Sequence, residues 1–79
     1  MKIKVRFFAF SRELAGTSEI EHELSDGSTL ADLQAVLFER YPSLASLKLR
    51  FAVNAAYAPL ARPLHEADEV AVIPPVGGG

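Results

Sequence analysis

Apolar and polar residues alternate along four stretches of this chain, which is the pattern of a strand with one buried face. The alternation predicts strands at residues 2–8, 17–24, 48–54 and 69–73. A further, very short edge strand is predicted at Ala56 and Tyr57. It cannot extend far, because Pro59 and Pro63 keep the next segment out of a sheet interior. The second strand turns a row of acidic side chains toward water, namely Glu19, Glu21 and Glu23.

An apolar stripe of helical period lies in the middle of the chain. Its members recur every three or four residues, as on the buried face of an amphipathic helix, and they are Leu30, Leu33, Leu37 and Tyr41. Thr29 and Asp32 form the pattern of a capping box at the start of this helix. Pro42 ends it, because the residue before a proline is pushed out of helical geometry.

A second, shorter helical run follows the first strand. Ser11 is predicted to cap its start, and Gly16 stands where a left-handed helix terminus favours glycine. The order of elements predicts an α+β domain in two layers, with one long helix covering one face of a mixed sheet. If the first and last strands are central neighbours, the compact solution is a β-grasp roll over residues 1–75, followed by a tail at 76–79.

Length and composition exclude several classes of protein. The 79 residues allow one domain, and 49% apolar with 23% charged residues favours a packed core over intrinsic disorder. Eight basic and ten acidic side chains leave a net charge of −2, so we expect neither nucleic acid nor a membrane surface as a partner. No stretch has membrane-spanning length and none is typical of a secretory signal, which favours a cytoplasmic protein.

Several kinds of site are also excluded. The chain has no cysteine, which rules out disulfides, thiolate metal sites and a cysteine nucleophile. His22 and His65 have no second ligand at metal spacing, so no metal is expected. No serine stands in a recognisable triad and no glycine-rich loop opens a helix, so we predict no catalytic apparatus and no bound cofactor.

The C-terminal tail is where chemistry is expected. It consists of Val76, Gly77, Gly78 and Gly79. Four extended residues reach at most about 13 to 14 Å, and glycine is favoured where backbone must approach another surface closely. One interpretation is that the free Gly79 carboxylate is the reactive group, activated with ATP by a partner enzyme and delivered into another protein's active site. The alternative, which a glycine-rich terminus taken alone favours, is a terminus without function, because chain ends are commonly disordered and rich in glycine.

Three segments carry a resemblance to a known family, in the same order along the chain. They are DEVAVIPPV at 68–76 before Gly78 and Gly79, KVRFFA at 4–9 with REL at 12–14, and AVN at 52–54 followed by PL at 63–64. Together they closely resemble the small, sulfur-carrier subunits of molybdopterin synthase. Gly77 stands where relatives often have a small or polar side chain.

The resemblance implies a ubiquitin-like β-grasp fold and a defined role for Gly79. That residue would be adenylated by an E1-like adenylyltransferase, at the expense of ATP, and then thiocarboxylated, with a sulfurtransferase as the sulfur source. The tail would enter the large synthase subunit, within a heterotetramer of two small and two large subunits. There, sulfur would pass to cyclic pyranopterin monophosphate to build the dithiolene of molybdopterin. The chain itself would be a co-substrate subunit, not a catalyst.

An exposed apolar patch beside the tail is predicted from Phe8, Tyr57 and Ile73. Such patches commonly mark partner sites, and the resemblance implies that these positions contact the large subunit. The alternative is that residues 59–62 cover Phe8 and Ile73. Arg12 is a further candidate for pairing with an acidic group of the partner, as is Arg62, although isolated surface pairs contribute only about 0 to 1 kcal/mol.

Three other functions stay open at this point. One is a sulfur carrier for another pathway, such as thiazole synthesis for thiamine, which the DEVA and PPV segments disfavour. Another is a ubiquitin-like modifier joined through Gly79 to lysines of other proteins, since an acyl-adenylate serves both purposes. The third is a binding module whose tail is inert.

Overall fold

The computed structural model describes residues 1–75, and within them five strands and two α-helices are formed. The strands are β1 Lys2–Phe7, β2 Glu19–Glu23, β3 Arg50–Val53, β4 Ala56–Tyr57 and β5 Glu69–Ile73. The helices are α1 Phe10–Ala15 and α2 Leu30–Arg40, with a 3₁₀ helix at Pro42–Ser46. Every predicted strand is therefore present, and the first three are shorter than their alternating stretches.

All five strands form one mixed sheet in the order β2-β1-β5-β3-β4. The pairing of β1 with β5 is parallel, with Val5 opposite Val70, and each of the other pairs is antiparallel. The two chain-terminal strands are thus neighbours inside the sheet. This is the β-grasp arrangement that the order of elements predicts.

Helix α2 covers one face of the sheet with the predicted stripe. Its leucines 30, 33 and 37 are fully buried against apolar residues of β1, β3 and β5. The capping box at its start is present, because the Asp32 amide donates to Thr29 Oγ1 at 3.4 Å and the Thr29 amide donates to Asp32 Oδ2 at 2.8 Å. Tyr41 ends the stripe with its ring edge-to-face against Phe7, 5.4 Å between centroids. The face of the sheet away from α2 carries the predicted patch residues Phe8, Tyr57 and Ile73.

The prediction that Ser11 caps the short helix is wrong. The helix begins at Phe10, Ala9 stands at the N-cap without a side-chain cap, and Ser11 is fully buried inside the first turn. Its hydroxyl bonds instead to the Phe8 carbonyl, three residues earlier and directly after β1, and to the Val72 carbonyl of β5, 61 residues away. Gly16 does end the helix in the left-handed region, with φ 74°, and its amide donates to the Arg12 carbonyl.

Candidate functional site

The sheet face away from α2 is divided into a charged half and an apolar half. The charged half lies on β1 and β2, where Lys2 pairs with Glu21 at 3.9 Å. Arg6 bridges two strands, at 3.8 Å from Glu19 on β2 and 3.2 Å from Glu69 on β5. Two members of the acidic row of β2, Glu19 and Glu21, therefore have cationic partners on the neighbouring strand.

The apolar half forms an open groove of about 460 Å³, here called the apolar groove. It is lined by Phe8, Ala52, Ala55, Tyr57, Ala71 and Ile73. Strand alternation produces it, because Val70 and Val72 point into the core and therefore turn Ala71 and Ile73 to the opposite face. Phe8 is 41% exposed and Tyr57 60% exposed, which leaves two aromatic rings at its flanks open to contact. The three predicted patch residues thus meet in one surface.

The small residues of the groove make its floor. Ala52 is buried although strand alternation turns it away from the core, because it stands opposite Tyr57 on one side and Ala71 on the other. Side chains without γ-atoms here leave room between the two aromatic flanks. An apolar side chain of another molecule fits such a depression better than a polar one, since the floor offers it no hydrogen-bonding side chain.

Residues 59–62 do not cover the groove, so the alternative interpretation of Phe8 and Ile73 is wrong. That segment is bonded to the first turn of α2, where the Ala31 amide donates to the Leu60 carbonyl at 2.9 Å and the Leu30 amide to the Arg62 carbonyl at 3.0 Å. Its backbone is therefore tied to the helix, and Phe8 keeps its exposed surface.

The groove lies at the root of the tail. Ile73 ends β5 and lines the groove, and it stands opposite Arg50 on β3. Pro74 and Pro75 follow it, and neither can continue a central strand. The predicted tail residues Val76, Gly77 and Gly78 and the predicted reactive residue Gly79 lie outside the described residues.

Ser11 positions one flank of the groove, and its role was missed from the sequence. Its hydroxyl donates to the Phe8 carbonyl at 2.6 Å and to the Val72 carbonyl at 3.3 Å, and it accepts from the Phe8 amide at 3.1 Å. The Phe8 amide also donates to the Val72 carbonyl at 3.2 Å. The backbone at Phe8 is therefore joined to β5 one residue before Ile73.

The two arginines proposed as partner contacts have different surroundings. Arg12 lies exposed on α1, is not among the residues that line the apolar groove, and makes no ion pair with the described residues. Arg62 pairs with Asp68 of its own chain at 3.4 Å and donates to the Pro63 carbonyl at 2.8 Å. Arg62 is thus engaged within the domain.

Asp68 forms a buried polar cluster at the other end of β5. It accepts from Asn54 Nδ2 at 2.9 Å, from the His65 amide at 2.8 Å and from Arg62 at 3.4 Å. Burial by itself raises the pKa of Asp68, but the hydrogen bonds from Asn54 and His65 and the charge of Arg62 outweigh it and hold that pKa below its usual value. Asn54 also accepts from the Glu69 amide at 3.0 Å, so the cluster fixes the start of β5 against the β3–β4 turn.

Two kinds of feature are absent from residues 1–75. In that range no helix is long and apolar enough to cross a membrane. The same residues contain no group of three or more histidine, cysteine or acidic side chains placed to hold a metal ion.

The chain is similar to known proteins in both sequence and fold. The family model described as ThiS family matches residues 5–79. A protein of Chlamydomonas reinhardtii named "Molybdopterin synthase sulfur carrier subunit" is 44% identical over 86 residues, and the alignment covers 100% of both chains.

Two solved structures show the same fold. Small archaeal modifier protein 1 from Methanosarcina acetivorans is similar with a TM-score of 0.84 and 26% identity, over 99% of this chain and 96% of that one. A chain of the complex of subunits 1 and 2 of the molybdopterin-converting factor from Helicobacter pylori is similar with a TM-score of 0.72 and 27% identity, over 100% of both chains. With the strand order described above, these similarities identify the fold as a ubiquitin-like β-grasp.

Proposed function

Because the chain belongs to the ThiS family, we propose that it serves as the sulfur carrier subunit of a molybdopterin synthase. The observation that carries this proposal is the similarity to a protein of that name along the whole length of both chains. The apolar groove supports it, because an exposed apolar surface beside the root of a reactive tail suits a protein that a partner must hold while its end group reacts.

The proposed reactive group is the carboxylate of Gly79. A carboxylate does not exchange oxygen for sulfur by itself, because its oxygen is a poor leaving group. An E1-like adenylyltransferase joins the carboxylate to the α-phosphate of ATP and releases pyrophosphate. The persulfide of a sulfurtransferase then attacks the carbonyl carbon and AMP leaves. A thiol reduces the resulting acyl disulfide, is itself oxidised to a disulfide with the sulfurtransferase, and a thiocarboxylate remains; free sulfide as the donor gives the thiocarboxylate directly. On this proposal ATP is bound by the partner enzyme and not by this chain.

The large subunit of the synthase is the proposed acceptor of the tail. Phe8, Tyr57 and Ile73 would contact it through the apolar groove, which supports a partner-held orientation of the tail. The similarity to a chain from a complex of two subunits of the molybdopterin-converting factor supports the same partner. Sulfur then passes from the thiocarboxylate to cyclic pyranopterin monophosphate, and water hydrolyses the remaining acyl group so that the Gly79 carboxylate is regenerated. Each dithiolene sulfur consumes one thiocarboxylate. The chain is a co-substrate in this scheme, and the chemistry is catalysed by its partners.

Intact-mass measurement tests the carrier function. The purified chain is incubated with the adenylyltransferase, ATP and a sulfur donor, and the expected product has one oxygen replaced by sulfur. Deletion of Gly79 is expected to abolish this product, and also sulfur transfer, because the penultimate glycine then presents the carboxylate one residue short. An unmodified wild-type terminus under these conditions, or full synthase activity of the deletion variant, contradicts the proposal.

A protein modifier is the second candidate, favoured by the similarity to a small archaeal modifier protein. The same acyl-adenylate would then react with a lysine amine of another protein and release AMP with formation of an isopeptide bond. The two functions separate in protein recovered from cells. A sulfur-bearing terminus supports the carrier, whereas adducts to other proteins joined through Gly79 support the modifier.

A further inference from the structure

Two arginine side chains stack on the two aromatic flanks of the apolar groove. Arg6 lies over the ring of Phe8, with Cζ 5.4 Å from the centroid. Arg50 lies over the ring of Tyr57 on the opposite flank, with Cζ 4.1 Å from the centroid. The groove is thus bordered on both sides by the same pair of groups, an aromatic ring covered by a guanidinium.

The guanidinium groups of the two arginines differ in their ion pairs. Arg6 forms ion pairs with two carboxylates of its own chain, Glu69 at 3.2 Å and Glu19 at 3.8 Å. Arg50 makes no ion pair and donates no side-chain hydrogen bond to any of the residues that the structure describes. None of the residues lining the groove itself is charged, so this half of the face offers Arg50 no carboxylate.

Stacking leaves the binding edge of Arg50 free. A guanidinium rests on a ring through its flat face, whereas its five N–H donors point outward in its own plane and match the two oxygens of a carboxylate. The ring restricts the side chain, so less conformational entropy remains to be lost when the edge is bound. Arg50 also stands opposite Ile73 in the sheet, next to the point at which the chain leaves toward its tail.

We propose that Arg50 is a specificity-determining residue that binds a carboxylate of the protein seated on the apolar groove. The partner presents an apolar side chain to the groove and an aspartate or glutamate to the flank formed by β3 and β4. That carboxylate pairs with Arg50, which is stacked on Tyr57, in the way that Glu69 pairs with Arg6, which is stacked on Phe8. The identification of this partner as the large synthase subunit rests on the proposed function. Arg50 and Tyr57 then set the orientation of the docked chain, while Ala52 and Ala71 accept the apolar contact.

Binding of the full-length chain to the large subunit tests this inference, measured by titration calorimetry at low and at physiological ionic strength. Arg50→Gln removes the charge and Arg50→Glu reverses it. Lys48→Gln and Lys48→Glu are the matched controls, because Lys48 is an exposed cation two residues away and outside the groove lining. Thermal melts of all variants establish that they are folded, as expected for changes at exposed positions.

Arg50→Gln is expected to weaken binding by about tenfold or more, the usual effect of losing a hydrogen bond between charged groups. Arg50→Glu weakens it further, and the salt dependence of the affinity falls in both variants. The Lys48 variants change the affinity by less than about threefold. Wild-type affinity in the Arg50 variants, or equal losses at Arg50 and Lys48, overturns the inference and leaves the carrier function intact. Failure of the wild-type chain to bind the large subunit overturns the proposed function as well.

Discussion

Phe7 and Phe8 are adjacent phenylalanines on opposite faces of the sheet, and truncating each to alanine separates folding from docking. Phe7 is 2% exposed and packs against Tyr41 in the core, whereas Phe8 is 41% exposed and flanks the apolar groove. The two substitutions remove the same atoms from neighbouring positions. Any difference between them therefore reports the environment and not the chemistry of the side chain.

The expected losses of stability follow from burial. Phe7→Ala leaves a cavity under α2 and should cost about 3 to 5 kcal/mol of unfolding free energy. Phe8→Ala leaves an open surface, and the loss of roughly three fifths of a buried phenylalanine amounts to about 1 to 2 kcal/mol, including its stack with Arg6. For docking the order is reversed. Phe8→Ala should weaken binding to the large subunit by about 30-fold, equivalent to a hot spot of about 2 kcal/mol, and Phe7→Ala by less than about threefold.

Urea denaturation followed by circular dichroism measures the loss of stability. Titration calorimetry measures the loss of affinity for the large subunit, at a temperature where both variants are folded. Equal destabilisation by Phe8→Ala and Phe7→Ala would contradict the placement of Phe8 on the exposed face. Wild-type affinity of folded Phe8→Ala would show that the apolar groove has no role in docking.

Three further substitutions test how the groove and its strand are held. Asp68→Asn should cost about 1 to 3 kcal/mol at neutral pH. The pKa of Asp68 is lowered in the folded state. The contribution of the Asp68 carboxylate to stability is therefore complete above the unfolded pKa of about 3.9 and is lost as pH falls through the folded pKa. In a plot of unfolding free energy against pH, Asp68→Asn should thus lose less stability on acidification than the wild type does. Ser11→Ala should cost only about 1 kcal/mol, because Phe8 and Val72 keep backbone partners of their own; a loss above about 3 kcal/mol in urea titration would contradict this. Ala55→Gly should stabilise by about 0.5 to 1 kcal/mol in thermal melts, since Ala55 has φ 71° in a two-residue hairpin turn, and a lower melting temperature would speak against that turn.

Local patterns were sufficient to predict the elements and their arrangement. The alternation of β1, the leucine stripe of α2 and the capping box at Thr29 each depend on residues within one element, and all three are present. The pairing of β1 with β5 was the condition under which the β-grasp roll was predicted, and the structure shows that pairing. The three predicted patch residues also meet in one groove, because strand alternation determines their face.

Contacts between distant residues were not predictable in this way. Ser11 is of a residue type that commonly caps helices, which suggested the wrong role. Its hydrogen bond to Val72 joins residues 61 positions apart, and a local sequence pattern does not show such a contact. Ala52 belongs to the outward set of β3 and is buried by Tyr57 and Ala71, which come from other strands. The Asp68 cluster joins residues 14 apart, at Asn54, and assembles only when β3 and β5 pair.

The parallel pairing of β1 with β5 has a practical consequence for experiments on this chain. Two parallel neighbours run in the same direction, and Lys4 stands opposite Glu69, so Lys2 lies six residue steps, about 20 Å, from the level of Ile73 along the strands. A fluorescent reporter or affinity tag joined before Lys2 would therefore lie away from Pro74 and from an enzyme bound at the Ile73 end of the sheet. On the proposed function, fusions on that side leave the Gly79 carboxylate available for modification, whereas an addition after Gly79 would convert this carboxylate into an amide.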